Sequence, residues 1–165
     1  MTQHSIVDTP VGSLTLVGQD GALTGVYFAE HVRRPADEMF GTRNDAAFAG
    51  SAEQLAEYFA GQRTSFDLIL QPAGNVFQHR VWAQLGLIPY AQTRTYGQLA
   101  TALGDSRLAR AVGAANGQNP LSIIVPCHRV VGSDGKLTGY AGGLPRKAFP
   151  LDLESAPADK ALRLF

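Results

Sequence analysis

The single cysteine of the chain, Cys127, lies in an apolar run beside side chains that could activate it. Residues 121–131 read Leu-Ser-Ile-Ile-Val-Pro-Cys-His-Arg-Val-Val. A sulfur nucleophile reacts as the thiolate, and an ordinary thiol, with a pKa near ~8.5, is mostly protonated at neutral pH. His128 and Arg129 offer an imidazole and a cation that would favour the anion. The pattern indicates nucleophilic cysteine chemistry, with a buried, unreactive cysteine beside a core histidine as the alternative.

The neighbouring positions of Cys127 and His128 constrain the backbone that carries them. Adjacent side chains on a strand point to opposite faces, so a strand continuing through both residues would keep them apart. The sequence therefore predicts a turn here, or a water that bridges the two groups. Pro126 favours the turn, because a smoothly continuing strand avoids proline. An acid that orients the histidine must come from elsewhere in the chain, and Glu154 is the downstream candidate.

The composition is that of a globular protein with one ordinary domain or two small ones. The chain has 165 residues, of which 45% are hydrophobic and 17% charged. It contains no apolar run of about 18 residues and no basic start followed by an apolar stretch, so we expect a cytoplasmic protein without membrane contact. One cysteine excludes an internal disulfide and a zinc site built on several thiolates. We expect neither a metal nor a cofactor.

The formal net charge of zero conceals an asymmetry along the chain. Residues 1–76 hold four arginines against nine acidic residues, whereas residues 77–147 hold eight basic residues against two acidic ones. Such asymmetry suggests that the second half faces a polyanion, because steering depends on the local potential. Two solvated surfaces that simply differ in charge are the alternative.

The first half of the chain reads as a small antiparallel sheet followed by a helix. Strands are predicted at 5–8, 13–18 and 22–28, and Asp20-Gly21 is a strong hairpin signal between the last two. The stretch from about 30 to 50 reads mostly as loop. A helix capped by Ser51 should end near Gly61, and alternation predicts a further strand at 66–70. Residues 71–75 are the expected linker, which gives a first domain of 1–74.

The second half, 75–165, is predicted to be mostly helical. Apolar residues at helical spacing predict one helix over 77–88. A helix capped by Thr95, a turn at Gly104-Asp105 and a helix capped by Ser106 and ending near Gly117 have the proportions of a helix-turn-helix. Many helical pairs in bundles share those proportions, so the pattern alone leaves DNA binding open. The predicted fold class is α+β.

The segment around Cys127 resembles a known active-site signature. Ile-Val-Pro-Cys-His-Arg-Val-Val at 124–131 is similar to that of the O6-alkylguanine-DNA alkyltransferases. Further segments resemble the family in order and spacing, over roughly residues 75–155: Phe77 to Trp82, Ile88-Pro89-Tyr90, Thr95 to Ala100, Ala109 to Gly113, Asn116 to Pro120, and Gly139 to Gly143. The N-terminal strands are consistent with the family's ribonuclease-H-like first domain.

The resemblance implies direct-reversal DNA repair. Members of the family flip the damaged nucleotide out of double-stranded DNA through the minor groove. They then move an alkyl group from O6 of guanine, with O4 of thymine as a second possible source, irreversibly onto a cysteine, here Cys127. The expected protein is a monomer in solution that acts once, and clustering on DNA is left open. The alternatives are a non-catalytic damage binder of the alkyltransferase-like type, which lacks the cysteine kept here, and a thiol hydrolase unrelated to DNA.

The resemblance also implies a role for each of the residues around the cysteine. His128 would deprotonate Cys127 through a water molecule, and Glu154 would orient His128. Tyr96 would stabilise the leaving guanine. The base pocket would involve Tyr140, Ala141, Val130 and the hinge residue Asn119, and the DNA contacts would involve Arg110 as the arginine finger, Tyr96, Ala111, Gly113 and Arg129.

The chain departs from the family pattern in two places near these residues. Ala91-Gln92 stands where many members have Gly-Glu. Pro150 interrupts the segment that leads to Glu154, where the family has an unbroken helix, and an interior proline kinks a helix unless it falls in the first turn.

Overall fold

The chain divides into two compact units. The computed structural model describes residues 1–30, 34–133 and 144–154, without the side chains of 144–146. The first unit comprises Met1–Gly74 and Pro120–Ile124, and the second comprises Asn75–Asn119 and the residues from Val125 onward. Within the described residues, no helix is long and apolar enough to cross a membrane.

A four-stranded sheet forms the centre of the first unit. Strands β1 (Gln3–Thr9), β2 (Gly12–Gln19) and β3 (Ala22–Phe28) pair antiparallel in sequence order, which confirms the three predicted strands. The β2–β3 turn places Asp20 and Gly21 at φ angles of 53° and 82°, the left-handed values that tight hairpins require. Strand β4 (Thr42–Arg43) pairs parallel to β1 within the stretch expected to be mostly loop. The sheet order is β3-β2-β1-β4.

Helix α1 (Ala49–Phe59) belongs to the first unit and begins earlier than predicted. Ser51 is not its N-cap: the cap position is Phe48, in the left-handed conformation and without a side-chain capping bond, and Ser51 is buried inside the first turn. The apolar face buries Leu55 and Tyr58. Gly61, at a φ of 75°, follows the helix end and supports the predicted stop.

The strand predicted at 66–70 is wrong. Leu70 forms an isolated bridge with Leu23, and no described residue between 66 and 69 belongs to a strand. The side chain of Gln54 explains this difference, because its amide binds both backbone groups of Asp67, accepting from the N–H at 2.9 Å and donating to the carbonyl at 3.0 Å. At Asp67 a side chain from α1 thus takes the place of a neighbouring strand, whereas the backbones of Ile69 and Gln71 bind that of Leu23 in β3.

Helices α2 (Val76–Gly86), α3 (Tyr96–Ala102), α4 (Ala109–Gly117) and α5 (Leu144–Glu154) build the second unit. Thr95 caps α3 as predicted, in a capping box with Gln98. Ser106 is not a cap, because the side chain of Asp105 accepts the N–H of Arg107 instead and starts a 3-10 turn over Ser106–Leu108. Together α3, this turn and α4 have the connectivity of a helix-turn-helix, and the α+β fold class is confirmed.

Two very short parallel strands complete the second unit. Strand β5 (Arg94–Thr95) directly precedes α3, and β6 (Val130–Val131) directly follows the 3-10 turn Cys127–Arg129. Their register pairs Arg94 with Val130. The start of α3 is thereby tied to the segment that carries the cysteine.

Replacing Thr95 with alanine should lower the free energy of unfolding by about 1 kcal/mol, because the first turn of α3 loses its capping oxygen. Urea unfolding measures the change. Thr101→Ala in the same helix is the control: Thr101 is exposed and caps nothing, and alanine is the better helix former. Equal losses in the two variants would contradict a capping role for Thr95.

Candidate active site

The backbone presents Cys127 on a turn, as its neighbours require. Pro126 has φ −81° and ψ 64°, and the N–H of Cys127 donates to the carbonyl of Val125 at 2.8 Å. These values define an inverse γ-turn centred on the proline. The 3-10 turn over Cys127–Arg129 follows at once, so Cys127 and His128 do not lie on a strand. Cys127 is buried, with 4% of its surface exposed.

His128 and Glu154 form a buried hydrogen-bonded pair. Nε2 of His128 lies 2.7 Å from Oε2 of Glu154. Burial lowers the pKa of His128 because it disfavours the imidazolium, although Glu154 acts in the opposite direction. A neutral imidazole that donates from Nε2 keeps an unprotonated acceptor at Nδ1. Nδ1 is buried and has no hydrogen-bond partner within the described part of the chain. The geometry therefore leaves a ring nitrogen that can accept a proton in the residue next to the cysteine.

Glu154 is held from several directions. Arg129 donates to Oε1 from Nε at 2.8 Å and to Oε2 from Nη2 at 3.1 Å. The backbone N–H of Ala91 lies 3.4 Å from Oε1. Helix α5 includes Pro150 and still ends on Glu154, so the proline does not remove the carboxylate from the site. The carboxylate is fully buried and surrounded by donors.

The backbone at Ala91 explains why many members of the family have glycine at this position. Its φ is 67°, in the left-handed region where glycine has no steric penalty and alanine does. The resemblance gives glycine at this position in many members. The conformation places the Ala91 N–H toward Glu154, so the loop before α3 meets the buried carboxylate through its backbone.

Arg129 is held inside the protein rather than at the surface. It is 7% exposed, and besides Glu154 its guanidinium donates to the carbonyl of Ile88 at 2.7 Å. The ring of Tyr90 lies 5.7 Å from the guanidinium carbon. This placement does not support the predicted contact between Arg129 and DNA. Sequence spacing could not show it, because the partner of Arg129 lies 25 residues further along the chain.

Lys147 is a residue that the sequence analysis missed. It is fully buried in α5, on the same face as Leu151 and Glu154. Burial lowers the pKa of Lys147 to about 8, and interaction with Cys127 opposes that shift. An ammonium near the sulfur favours the thiolate. The signal was available in principle: Lys147 and Glu154 are seven residues apart, two turns of one helix.

Two asparagines at the end of α4 bind the backbone around Cys127. Asn119, the predicted hinge residue, donates from Nδ2 to the carbonyl of Val125 at 2.9 Å. Asn116, to which the sequence analysis assigned no role, donates from Nδ2 to the carbonyl of Cys127 at 3.4 Å. Both side chains are buried. The second helix of the helix-turn-helix and the cysteine segment are thus joined by side-chain amides.

The remaining predicted residues lie around this centre. Tyr96 is the first residue of α3, and a Cβ on Gly113 would lie 3.7 Å from its ring, an ordinary contact. Arg110 and Ala111 are exposed in the first turn of α4. Val130 is buried, and its N–H donates to the carbonyl of Cys127. Tyr140 and Ala141 lie outside the described residues.

Two models of known protein families match the chain. A model described as "6-O-methylguanine DNA methyltransferase, DNA binding domain" matches residues 76–156. The model for the ribonuclease-like domain of the same methyltransferase matches residues 3–72. The chain belongs to the 6-O-methylguanine DNA methyltransferase family. The resemblance found in the sequence is confirmed, and the second half carries the family's DNA-binding domain.

Relatives in the family match along nearly the whole chain. A methylated-DNA–protein-cysteine methyltransferase of Mycolicibacterium paratuberculosis is 49% identical over 165 residues, covering 100% of this chain and 99% of the relative. One from Methanosarcina barkeri is 47% identical over 154 residues, covering 92% and 96%. The crystal structure of Mycobacterium tuberculosis OGT in complex with DNA has a TM-score of 0.88 at 47% identity, covering 97% of this chain and 98% of that one.

Replacing Arg129 with methionine should lower the free energy of unfolding by about 3 kcal/mol, because it leaves the buried Glu154 without its cation. The slope of log affinity for DNA against log salt should not change, since a lost phosphate contact would reduce that slope by about one. Chemical unfolding and salt-dependent DNA titration measure the two effects. Arg107→Met removes an exposed pair with Asp105 and should cost less than about 1 kcal/mol. A reduced salt slope with unchanged stability would instead support the predicted contact between Arg129 and DNA.

Proposed function

We propose that this protein repairs O6-alkylguanine in DNA by moving the alkyl group onto Cys127 in a single turnover. The observation that carries the proposal is the buried His128–Glu154 pair beside the one cysteine, within the segment matched by the family's DNA-binding model. The names of its relatives, methylated-DNA–protein-cysteine methyltransferases, describe the same reaction. O4 of thymine is a further candidate source of the alkyl group.

The first step is deprotonation of the cysteine. Nδ1 of His128 is the unprotonated nitrogen, so it would take the Cys127 proton through a bridging water molecule. The imidazolium that forms lies 2.7 Å from the Glu154 carboxylate, which stabilises its charge. Lys147 favours the thiolate by its own charge. Burial strengthens both interactions, because little water screens them.

The second step is displacement at the alkyl carbon. The thiolate attacks that carbon, the S–C bond forms, and the C–O6 bond breaks with its electron pair moving to the guanine. Tyr96 would donate a hydrogen bond or a proton to the departing base, which lowers the cost of its negative charge. The product is a thioether, which is a poor leaving group. Each protein molecule therefore acts once.

Recognition of DNA is assigned to the helix-turn-helix. Arg110 is exposed in the first turn of α4, the placement that a side chain needs to enter the minor groove and fill the space of a flipped base. The small residues Ala111 and Gly113 would allow the helix backbone to approach the DNA closely. The DNA complex of the M. tuberculosis relative supports DNA as the partner.

The base pocket and the domain roles complete the proposal. The carbonyls of Cys127 and Val130 would accept from the exocyclic amine of the base, Tyr140 would line the pocket, and the N–H of Ala141 would face O6. Asn119 would join α4 to the cysteine segment. We assign residues 1–74 a structural role and residues 75–165 DNA binding and alkyl transfer, in a protein that works as a monomer in the cytoplasm.

Incubation with a duplex that contains one O6-methylguanine should add one methylene to the mass of the intact protein, on Cys127 and in equimolar amount. Cys127→Ser should gain nothing, because it lacks the thiol. Intact-mass measurement followed by peptide mapping tests this directly. Tight binding of the damaged duplex without any mass gain would instead make the protein a non-catalytic damage binder.

Replacing Lys147 with methionine should slow the reaction of Cys127 with iodoacetamide by about tenfold at neutral pH, because the thiolate loses a nearby cation. The difference should shrink as the pH rises, since the pKa of Lys147 is about 8 and the wild-type residue becomes neutral above it. Rates measured from pH 6 to pH 9.5 test both points. Arg80→Met, on the exposed side of α2, is the control and should not alter the profile. A constant ratio across the range would exclude this role for Lys147.

A further inference from the structure

Val125 and Cys127, the residues on either side of Pro126, each have a carbonyl that accepts two hydrogen bonds. The carbonyl of Val125 accepts the N–H of Cys127 and the amide of Asn119. The carbonyl of Cys127 accepts the N–H of Val130 and the amide of Asn116. Each therefore has one backbone donor and one asparagine donor from the end of α4. We call Asn116 and Asn119 the amide clamp.

The turn that presents Cys127 depends on such outside support. An inverse γ-turn has a single hydrogen bond, and Pro126 has no N–H to add another. The carbonyl of Pro126 accepts the N–H of Arg129 at 3.0 Å, which holds the peptide between Pro126 and Cys127. The next peptide, between Cys127 and His128, is held through the donors to the Cys127 carbonyl. The end of α4 that carries Asn116 is itself held in place, because Nε1 of Trp82 donates to the carbonyl of the preceding residue, Ala115, at 2.9 Å.

A second observation shows that Asn116 is not a favourable residue for packing alone. It is 2% exposed, and its Oδ1 has no hydrogen-bond partner among the described residues. A buried acceptor without a partner costs free energy, and an apolar side chain of similar size would avoid that cost. The amide is therefore useful for its N–H, which is directed at the reactive residue.

We propose that Asn116 is a positioning residue for alkyl transfer. By holding the Cys127 carbonyl, its amide fixes the orientation of the peptide between Cys127 and His128. That orientation sets the line along which Sγ approaches the alkyl carbon. Displacement at carbon needs the sulfur, the carbon and the departing oxygen in line, and small misplacement costs large factors in rate. This inference rests on the proposed function. It is separate from the predicted hinge role of Asn119, because Asn116 binds the backbone of the nucleophilic residue itself.

The test compares Asn116→Leu and Asn116→Ala with Gln118→Leu. Gln118 is the matched control, since it lies at the same helix end but its amide oxygen accepts from Gln78. Single-turnover transfer from an O6-methylguanine duplex at saturating DNA should fall at least about tenfold in both Asn116 variants. It should stay within about twofold in the control. Thermal unfolding verifies folding, and the alanine variant carries the test if the leucine variant does not fold.

Two further readouts separate positioning from a purely structural role. The Kd for the duplex and the rate with iodoacetamide should both stay within about twofold of wild type, because a freely diffusing reagent needs the thiolate but no fixed line of attack. An unchanged transfer rate would overturn the proposal. A parallel fall in the iodoacetamide rate would also overturn it, by showing that Asn116 supports activation of the thiol or the fold. Absence of transfer by the wild-type protein would overturn the proposed function, and this inference with it.

Discussion

The buried carboxylate of Glu154 is the group on which the site depends. Burying a charge costs free energy unless hydrogen-bond donors and an opposite charge surround it. The carboxylate of Glu154 therefore needs several such partners. Here two donors come from the neighbouring residues His128 and Arg129, and the third is the backbone N–H of Ala91, which is distant from both in the sequence. One carboxylate at the end of α5 therefore joins the loop before α3 to the turn that carries the cysteine. The left-handed backbone of Ala91 is one cost of that arrangement.

Burial and the charges around Glu154 together account for the lowered pKa of His128. Burial is the largest influence and lowers the pKa of His128, and the nearby cations Arg129 and Lys147 act in the same direction. The carboxylate alone would favour the imidazolium. Because Arg129 offsets its charge, Glu154 can orient the ring through Nε2 while Nδ1 stays available as a base. The same burial that keeps the histidine neutral strengthens its interaction with Glu154 once it accepts a proton.

Helices set the distances within the site. Lys147 and Glu154 lie two turns apart on one face of α5, so the helix brings a cation toward the sulfur and an anion toward the histidine with a spacing fixed by helical geometry. Helix α4 carries the exposed Arg110 near its start and Asn116, one residue of the amide clamp, near its end. Arg110, which we propose enters DNA, and Asn116, which binds the Cys127 carbonyl, therefore lie on one helix, and Asn119 follows just after its end. Such a connection suits a reaction that is sensitive to small displacements.

Local chemistry in the sequence determined the first three strands, the Asp20-Gly21 hairpin, the Thr95 cap and the turn at Pro126, because each depends on neighbouring residues. It failed at Asp67, where the side chain of Gln54 in α1 replaced a strand partner, and at Ser106, where the neighbouring Asp105 accepted the capping hydrogen bond instead. Only the tertiary structure decided that Arg129 is internal, that Lys147 is close enough to interact with the sulfur, and that Asn116 binds the Cys127 carbonyl. Burial and long-range hydrogen bonds set those outcomes, and neither is encoded in the spacing of residues along the chain.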